Sequence, residues 1–248
     1  MKVLGGTSRA SVITLRKSLA DAVSKQSASD AASFASDLFT ILTVLSSSVG
    51  LRRALTDNAR DKSAKAELIS NLFGKNIKAD AQALLATAAS LRWSSPAELA
   101  DAVEHLAVEA QSAAAEKSNE QESLENELFD FARALVANPD FRQALNTSAD
   151  TDEGKLALLD SVVKGKYSSS TVTLLQKVVT LRRGRSIDAT LAAYAHYVST
   201  RNNRVVAHIK SAIALSADHQ KKLVAALTKL MGKDVHVNIE IDLKVLGG

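Results

Sequence analysis

With 248 residues, 46% of them hydrophobic, the chain is long enough for one large or two small domains with packed cores, and aromatics at 4% leave those cores to Leu, Val, Ile and Ala. The absence of cysteine excludes disulfides, thiolate nucleophiles and cysteine zinc ligands, and no apolar run approaches the roughly 20 residues of a membrane span. The net charge of +4 is modest but uneven: 97–130 holds ten acids against one base, Lys117, whereas 201–248 holds eight bases against four acids.

Helix comes first and runs through most of the chain. The start, 1–20, is basic and hydroxyl-rich without a continuous apolar core, so no secretory signal is expected. Apolar positions at helical spacing predict helices over 8–24, 29–46, 49–55, 62–73 and 79–91, with Gly74 as a C-terminal stop. Pro96 and Pro139 bracket a stretch without Gly or Pro, and one long helix fits it best. Ser95 would cap it, Pro96 would take the tolerated first position, and Glu98 would complete a capping box. A helix of about 40 residues reaches about 60 Å, closing one bundle and opening the next. A break near 117–121, where Ser118 and Asn119 cluster, is the alternative. The acids of this segment read as a solvated face. Further helices are predicted over 121–137, 139–145, 152–164, 168–181 and 186–201, with Gly165 as a second stop.

Self-similarity organises these helices. The stretch 38–93 aligns without gaps on 128–183, an offset of 90 residues. Arg52 and Leu55 fall on Arg142 and Leu145, Lys65 and Leu68 on Lys155 and Leu158, and Leu84 and Leu85 on Leu174 and Leu175. Preserved turn signals argue against chance. After the second copy, Val205, Ala207, Ile209 and Ile213 alternate with Val206, His208 and Lys210 as a strand. Ser216 then caps a helix whose face is Leu223, Leu227, Leu230 and Met231, ended by Gly232, and Val235, Val237, Ile239 and Ile241 alternate as a second strand. The expected fold is mainly α: two related helical bundles joined by a long helix, plus a small C-terminal α/β (β-α-β) module. The boundaries fall at 1–115, 116–203 and 204–248.

Chemistry is sparse. The five histidines never take the i, i+4 spacing of a helical metal pair; His208 and His236 can face each other on the polar side of adjacent strands. No phosphate-binding glycine motif occurs. The Arg182, Arg183 and Arg185 cluster reads as an exposed interhelical turn and Trp93 as a packing anchor. Basic residues are not interleaved with stacking aromatics, so no nucleic acid is expected as a partner.

The closing residues Val235, Val237, Ile241, Asp242, Val245, Gly247 and Gly248 carry a family pattern: alternating apolar residues, an apolar-acidic pair, then a branched residue before a double glycine. With Gly184 and Arg185, and the run Ala207, Ile209, Ser211, Ala212, Leu215 and Ser216, the chain resembles the δ subunit of F-type ATP synthase. That is the family of the oligomycin-sensitivity-conferring protein, here in an enlarged, actinobacterial-like form with a duplicated helical domain. Ala214 stands where the family often has proline. The family continues past the double glycine with a strand and a helix that this sequence lacks, so one apolar edge of 235–241 is expected to be uncovered. Lys2 to Gly6 repeats the final five residues, without an explanation.

The resemblance implies a non-catalytic, cofactor-free peripheral-stalk subunit on the cytoplasmic side of the cell membrane. Its partners would be N-terminal segments of the synthase α subunits and the C-terminal helix of the b subunit. For the first, the groove between the first and fifth helices is the expected site, with Val12, Leu15, Leu19, Leu84 and Leu85; for the second, Val235, Val237, Ile239 and Ile241 of the end module. The rival readings are a stand-alone helical adaptor and an enzyme built on the α/β module.

Overall fold

A computed structural model of the chain describes residues 4–147, 151–201, 205–213, 215–231 and 235–241. The elements are α1 (Gly6–Ser24), α2 (Ala28–Ser47), α3 (Val49–Thr56), α4 (Lys62–Phe73), α5 (Ala79–Ser90), α6 (Pro96–Lys117), α7 (Gln121–Ala137), α8 (Pro139–Asn146), α9 (Asp152–Val163), α10 (Ser169–Thr180), α11 (Ile187–Arg201), β1 (Val205–Ser211), α12 (Ala217–Met231) and β2 (Val235–Ile241). The fold is mainly α. Hydroxyl caps set several starts, because a side-chain oxygen satisfies an otherwise orphaned amide. Ser27 Oγ accepts from Asp30 N at 3.1 Å, Ser48 Oγ from Leu51 N at 3.1 Å, and Thr151 Oγ1 from Gly154 N at 3.2 Å. The two stopping glycines differ. Gly165 has the left-handed φ of 77° that suits a residue without Cβ, whereas Gly74 is right-handed and a Cβ there would lie 2.5 Å from the Ser70 carbonyl oxygen.

The bounds of α3, α4 and α5 recur as those of α8, α9 and α10, each displaced by 90 residues, and α6 starts 90 residues after α1. Burial follows the same displacement: Leu55 and Leu145, Lys65 and Lys155, Ile69 and Leu159, and Leu84 and Leu174 are all buried. Helix α6 packs on α1, α2 and α3 from one copy and on α7, α10 and α11 from the other. Every residue over 106–115 is buried, and the small side chains of Ala107, Ala110, Ser112, Ala113, Ala114 and Ala115 allow approach from all sides. One continuous core results, running from Val12 to Val198.

Helix α2 gives the most extensive pairing, against α6. Its 20 residues are long and apolar enough, by length and composition, to cross a membrane, which revises the expectation that no such run exists. Here Phe34, Leu38, Phe39, Leu42 and Leu45 are buried in the shared core.

The single long helix is not formed, and the chain breaks instead at 118–120, within the alternative break near 117–121. Helix α6 has 22 residues, about 33 Å at 1.5 Å per residue, and α7 starts afresh at Gln121. The break is a Schellman motif without glycine. Asn119, with φ 58°, takes the left-handed position; its N–H bonds Glu116 O at 3.1 Å and the N–H of Glu120 bonds Ala115 O at 2.8 Å. Asn tolerates that region better than other side chains, which is how the helix ends where neither Gly nor Pro occurs. The capping box is not formed either: Pro96 takes the first position, but Ser95 makes no side-chain cap, and Glu98 turns away to accept the Gly5 N–H at 3.4 Å.

In the end module β1 pairs parallel with β2, Val205 opposite Val235 through Ser211 opposite Ile241, and α12 crosses over onto β2. The strand β1 ends before Ile213, which is 71% exposed. Leu223 and Leu227 are half-buried, but Leu230 and Met231 project into solvent. The register sets His236 opposite Val206 and His208 opposite Asn238, not each other. The readings placed on Ala214, Gly232, the closing 242–248 pattern and 1–3 lie outside the described residues.

Candidate docking surfaces and the buried ion-pair centre

The acids expected on a solvated face are partly interior: Glu98, Glu104, Glu109 and Glu125 are buried. Carboxylates enter a core only where cations or donors meet them, and the sequence supplies these from a distance. Glu104, 1% exposed, faces the turn between α10 and α11. Arg183 Nη1 lies 2.9 Å from Glu104 Oε2 and 2.8 Å from Asp101 Oδ1, and Arg185 Nη2 pairs with Glu104 Oε1. The turn reverses through two left-handed residues, Arg183 at φ 54° and Gly184 at φ 79°, and Arg182 anchors it by donating to Asn146 O at 3.0 Å. The arginine cluster is therefore a clamp on α6, not the exposed turn expected. Burial works against the Arg183 charge, but Glu104 and Asp101 outweigh it and hold its pKa above the ordinary value.

One turn along, Glu109 receives Arg16 Nη2 from α1 at 2.6 Å and His105 Nε2 at 3.2 Å. Burial pushes this carboxyl up; His105 and Arg16 together overcome it, and the pKa is lowered. His105 stacks on Tyr197 of α11, ring centroids 4.1 Å apart. Burial, reinforced by Glu104, raises the Tyr197 hydroxyl to about 12 and the Tyr194 hydroxyl well above its usual value. Trp93 is an anchor, 9% exposed, donating Nε1–H to Ala88 O at 2.9 Å.

Asp101, Glu104, His105, Arg183, Arg185 and Tyr197 form one wall of a cleft of about 740 Å³ between α1, the start of α6, and α11, with Leu4, Arg9, Ile13 and His196 on its other sides. The cleft escaped sequence reasoning because its walls come from three distant segments. A signal was present: 97–115 carries four acids and no Lys or Arg, so those acids had no partner on their own helix.

The five residues expected at the groove come together. Helices α1 and α5 pack side by side, and Val12, Leu15, Leu19, Leu84 and Leu85 are all buried in the shared core, with half-buried Ala22 and Ala86 packed against the same core and Val12 also bordering the cleft. Along β2 exposure grades outward: Val235 is buried, Val237 and Ile239 are half-buried, and Ile241 is 53% exposed.

Fold and site together define a class: a helical-repeat body on a shared core helix, held by buried ion pairs and ending in a parallel β-α-β module. The family model described as ATP synthase delta (OSCP) subunit matches residues 108–248. Proteins named ATP synthase subunit delta are similar along the chain: that of Streptomyces coelicolor is 36% identical over all of this chain and 90% of its own length, that of Thermobifida fusca 33% over 98% and 89%, and that of Kineococcus radiotolerans 35% over 98% and 88%. The chain belongs to the ATP synthase delta (OSCP) subunit family, in its actinobacterial form, and is a subunit of the membrane-associated ATP synthase complex.

Proposed function

We propose that the chain is the non-catalytic stator subunit of the peripheral stalk, on the cytoplasmic side of the membrane, tying the α subunits of the catalytic head to the b subunit and resisting rotor torque. The carrying observation is the sharing of α6: both copies pack on one buried helix, so a load applied to one half passes through a common core rather than a linker. Protein interiors of this kind are dense and transmit strain. The head-side contact is the α1–α5 seam, floored by Val12, Leu15, Leu19, Leu84 and Leu85. An amphipathic segment from the synthase α subunits lies there across Ala22 and Ala86, the helix-in-groove mode. The stalk-side contact is the end module, where the C-terminal helix of the b subunit covers the outward-graded Val235, Val237, Ile239 and Ile241.

Calorimetric titration of the full chain with the N-terminal peptide of its own α subunit tests the head-side contact. Binding is expected, and Ala86→Arg weakens it about tenfold, or 1.4 kcal/mol, without lowering unfolding stability. Absence of binding points instead to a stand-alone adaptor.

A further inference from the structure

The cleft between α1, α6 and α11 has a counterpart in the second copy, and the two differ in chemistry. Displacing its α1 and α6 lining by 90 residues lands on α6 and α11: Arg9 becomes Leu99, Ile13 becomes Val103, Arg16 becomes Leu106, Asp101 becomes Leu191 and Glu104 becomes Tyr194. All five counterparts are buried. Helix α2 lies along α6 there, with the Phe39 ring 6.3 Å from that of Tyr194. In the first copy the same surface is an open cleft, and Ile13 is 70% exposed.

The second copy thus shows what this surface accommodates, a packed helix. The first copy has replaced two of its leucines by arginines. Arg183 and Arg185 are committed to Asp101 and Glu104, and Arg16 holds Glu109 from a side chain still 34% exposed. Arg9 makes no ion pair among the described residues and is exposed. The wall facing solvent is therefore cationic beside an apolar ledge of Leu4 and Ile13.

We propose that this cleft docks a helical segment of a neighbouring subunit in the assembled synthase, one that sets a carboxylate against Arg9 and Arg16 and an apolar side chain on Ile13. The docked helix takes the place that α2 holds in the second copy. Guanidinium–carboxylate bonds are charge-assisted and directional, and a cationic rim also speeds encounter with an acidic segment. Val12 borders both this cleft and the α1–α5 seam, but the docking contacts Arg9, Ile13 and Arg16 are not among the seam residues, and docking in the cleft does not depend on the seam.

The test places the photo-crosslinking residue p-benzoylphenylalanine at position 13 of the chain in the assembled complex and identifies the captured segment by mass spectrometry. The expected product is a polypeptide segment with Asp or Glu within one helical turn of the crosslinked residue. Titrated as a synthetic peptide against the full chain, that segment binds about tenfold more weakly to Arg9→Glu, is unaffected by Ala86→Arg, and recovers on Arg9→Glu when its own acid is changed to Lys. A captured segment without an acid, no polypeptide product, or binding unmoved by Arg9→Glu overturns the proposal. Weakening by Ala86→Arg alone also overturns it, by moving the contact to the seam. Suppression of labelling by inorganic phosphate or ATP, with no polypeptide captured, assigns the arginines to a small anion and overturns it as well.

Discussion

Glu104 of α6 and Arg183 of the α10–α11 turn meet at 2.9 Å across 79 residues of chain, and that contact ties the helix shared by both copies to the far end of the second. The carboxylate is 1% exposed, so removing its charge leaves Arg185 without its carboxylate and Arg183 with Asp101 alone. Glu104→Gln is expected to cost about 3–5 kcal/mol, the usual penalty for breaking a buried pair from one side. Asp101→Asn, whose side chain is 29% exposed, is expected to cost about 1 kcal/mol or less. Urea unfolding followed by circular dichroism measures both, and equal losses would show that Glu104 is not the centre of the cluster.

Acid sensitivity follows from two neighbouring groups. The pKa of Glu109 is lowered below its ordinary 4.5 because His105 and Arg16 outweigh burial. Its contribution is therefore present above the unfolded value and lost as pH falls through the folded one. His196 is also lowered from 6.5, by burial and then by the His105 charge. Its neutral form is favoured on folding, so stability starts to fall below about pH 6.5, by a small amount because the ring is largely solvated. Stability measured against pH is expected to decline in two stages. Glu109→Gln removes the lower stage and His196→Asn the upper; an unchanged profile in both variants contradicts the assignment.

The break after α6 depends on one left-handed residue. Asn119→Gly keeps the Schellman motif and is expected to change stability by no more than a few tenths of a kcal/mol, whereas Asn119→Val forces a branched side chain into that region at about 1–2 kcal/mol. Thermal unfolding of the two variants separates them. If valine is tolerated as well as glycine, α6 and α7 can join as one helix after all.

That break also marks where the sequence stopped being legible. Helix positions and the displacement of 90 residues followed from periodicity and turn residues, both local properties of the chain. The end of α6 was legible only as the alternative, a break near 117–121, because it uses Asn119 where the usual signal is glycine. The interior position of Glu104 and Glu109 was not legible: their partners Arg183 and Arg16 lie on other elements, and local pattern cannot distinguish an acid bound for solvent from one bound for a distant arginine. The same limit applies to the seam. Val12, Leu15, Leu19, Leu84 and Leu85 do come together, yet as floor rather than rim, because apolar spacing identifies which face is covered and not what covers it.

The last prediction concerns whether the two copies unfold together. Phe39 of α2 lies against Tyr194 of α11 and beneath the ammonium of Lys177 of α10, 5.7 Å from its ring centre. Burial of that ammonium lowers its pKa, whereas the aromatic face beneath it favours the charged form. Phe39→Ala is expected to cost about 3–5 kcal/mol and to loosen α2 from the second copy. The chain carries its own reporters: its one Trp, Trp93, is in the first copy, and its three tyrosines, Tyr167, Tyr194 and Tyr197, are in the second. In the unaltered protein, tryptophan fluorescence and tyrosine absorbance are expected to give coincident urea transitions, because neither copy retains a core without α6. In Phe39→Ala the two curves should separate, the tyrosine transition moving to lower urea. Curves already separate in the unaltered protein would mean that α6 does not couple the halves, and would remove the basis for load transfer through the shared helix.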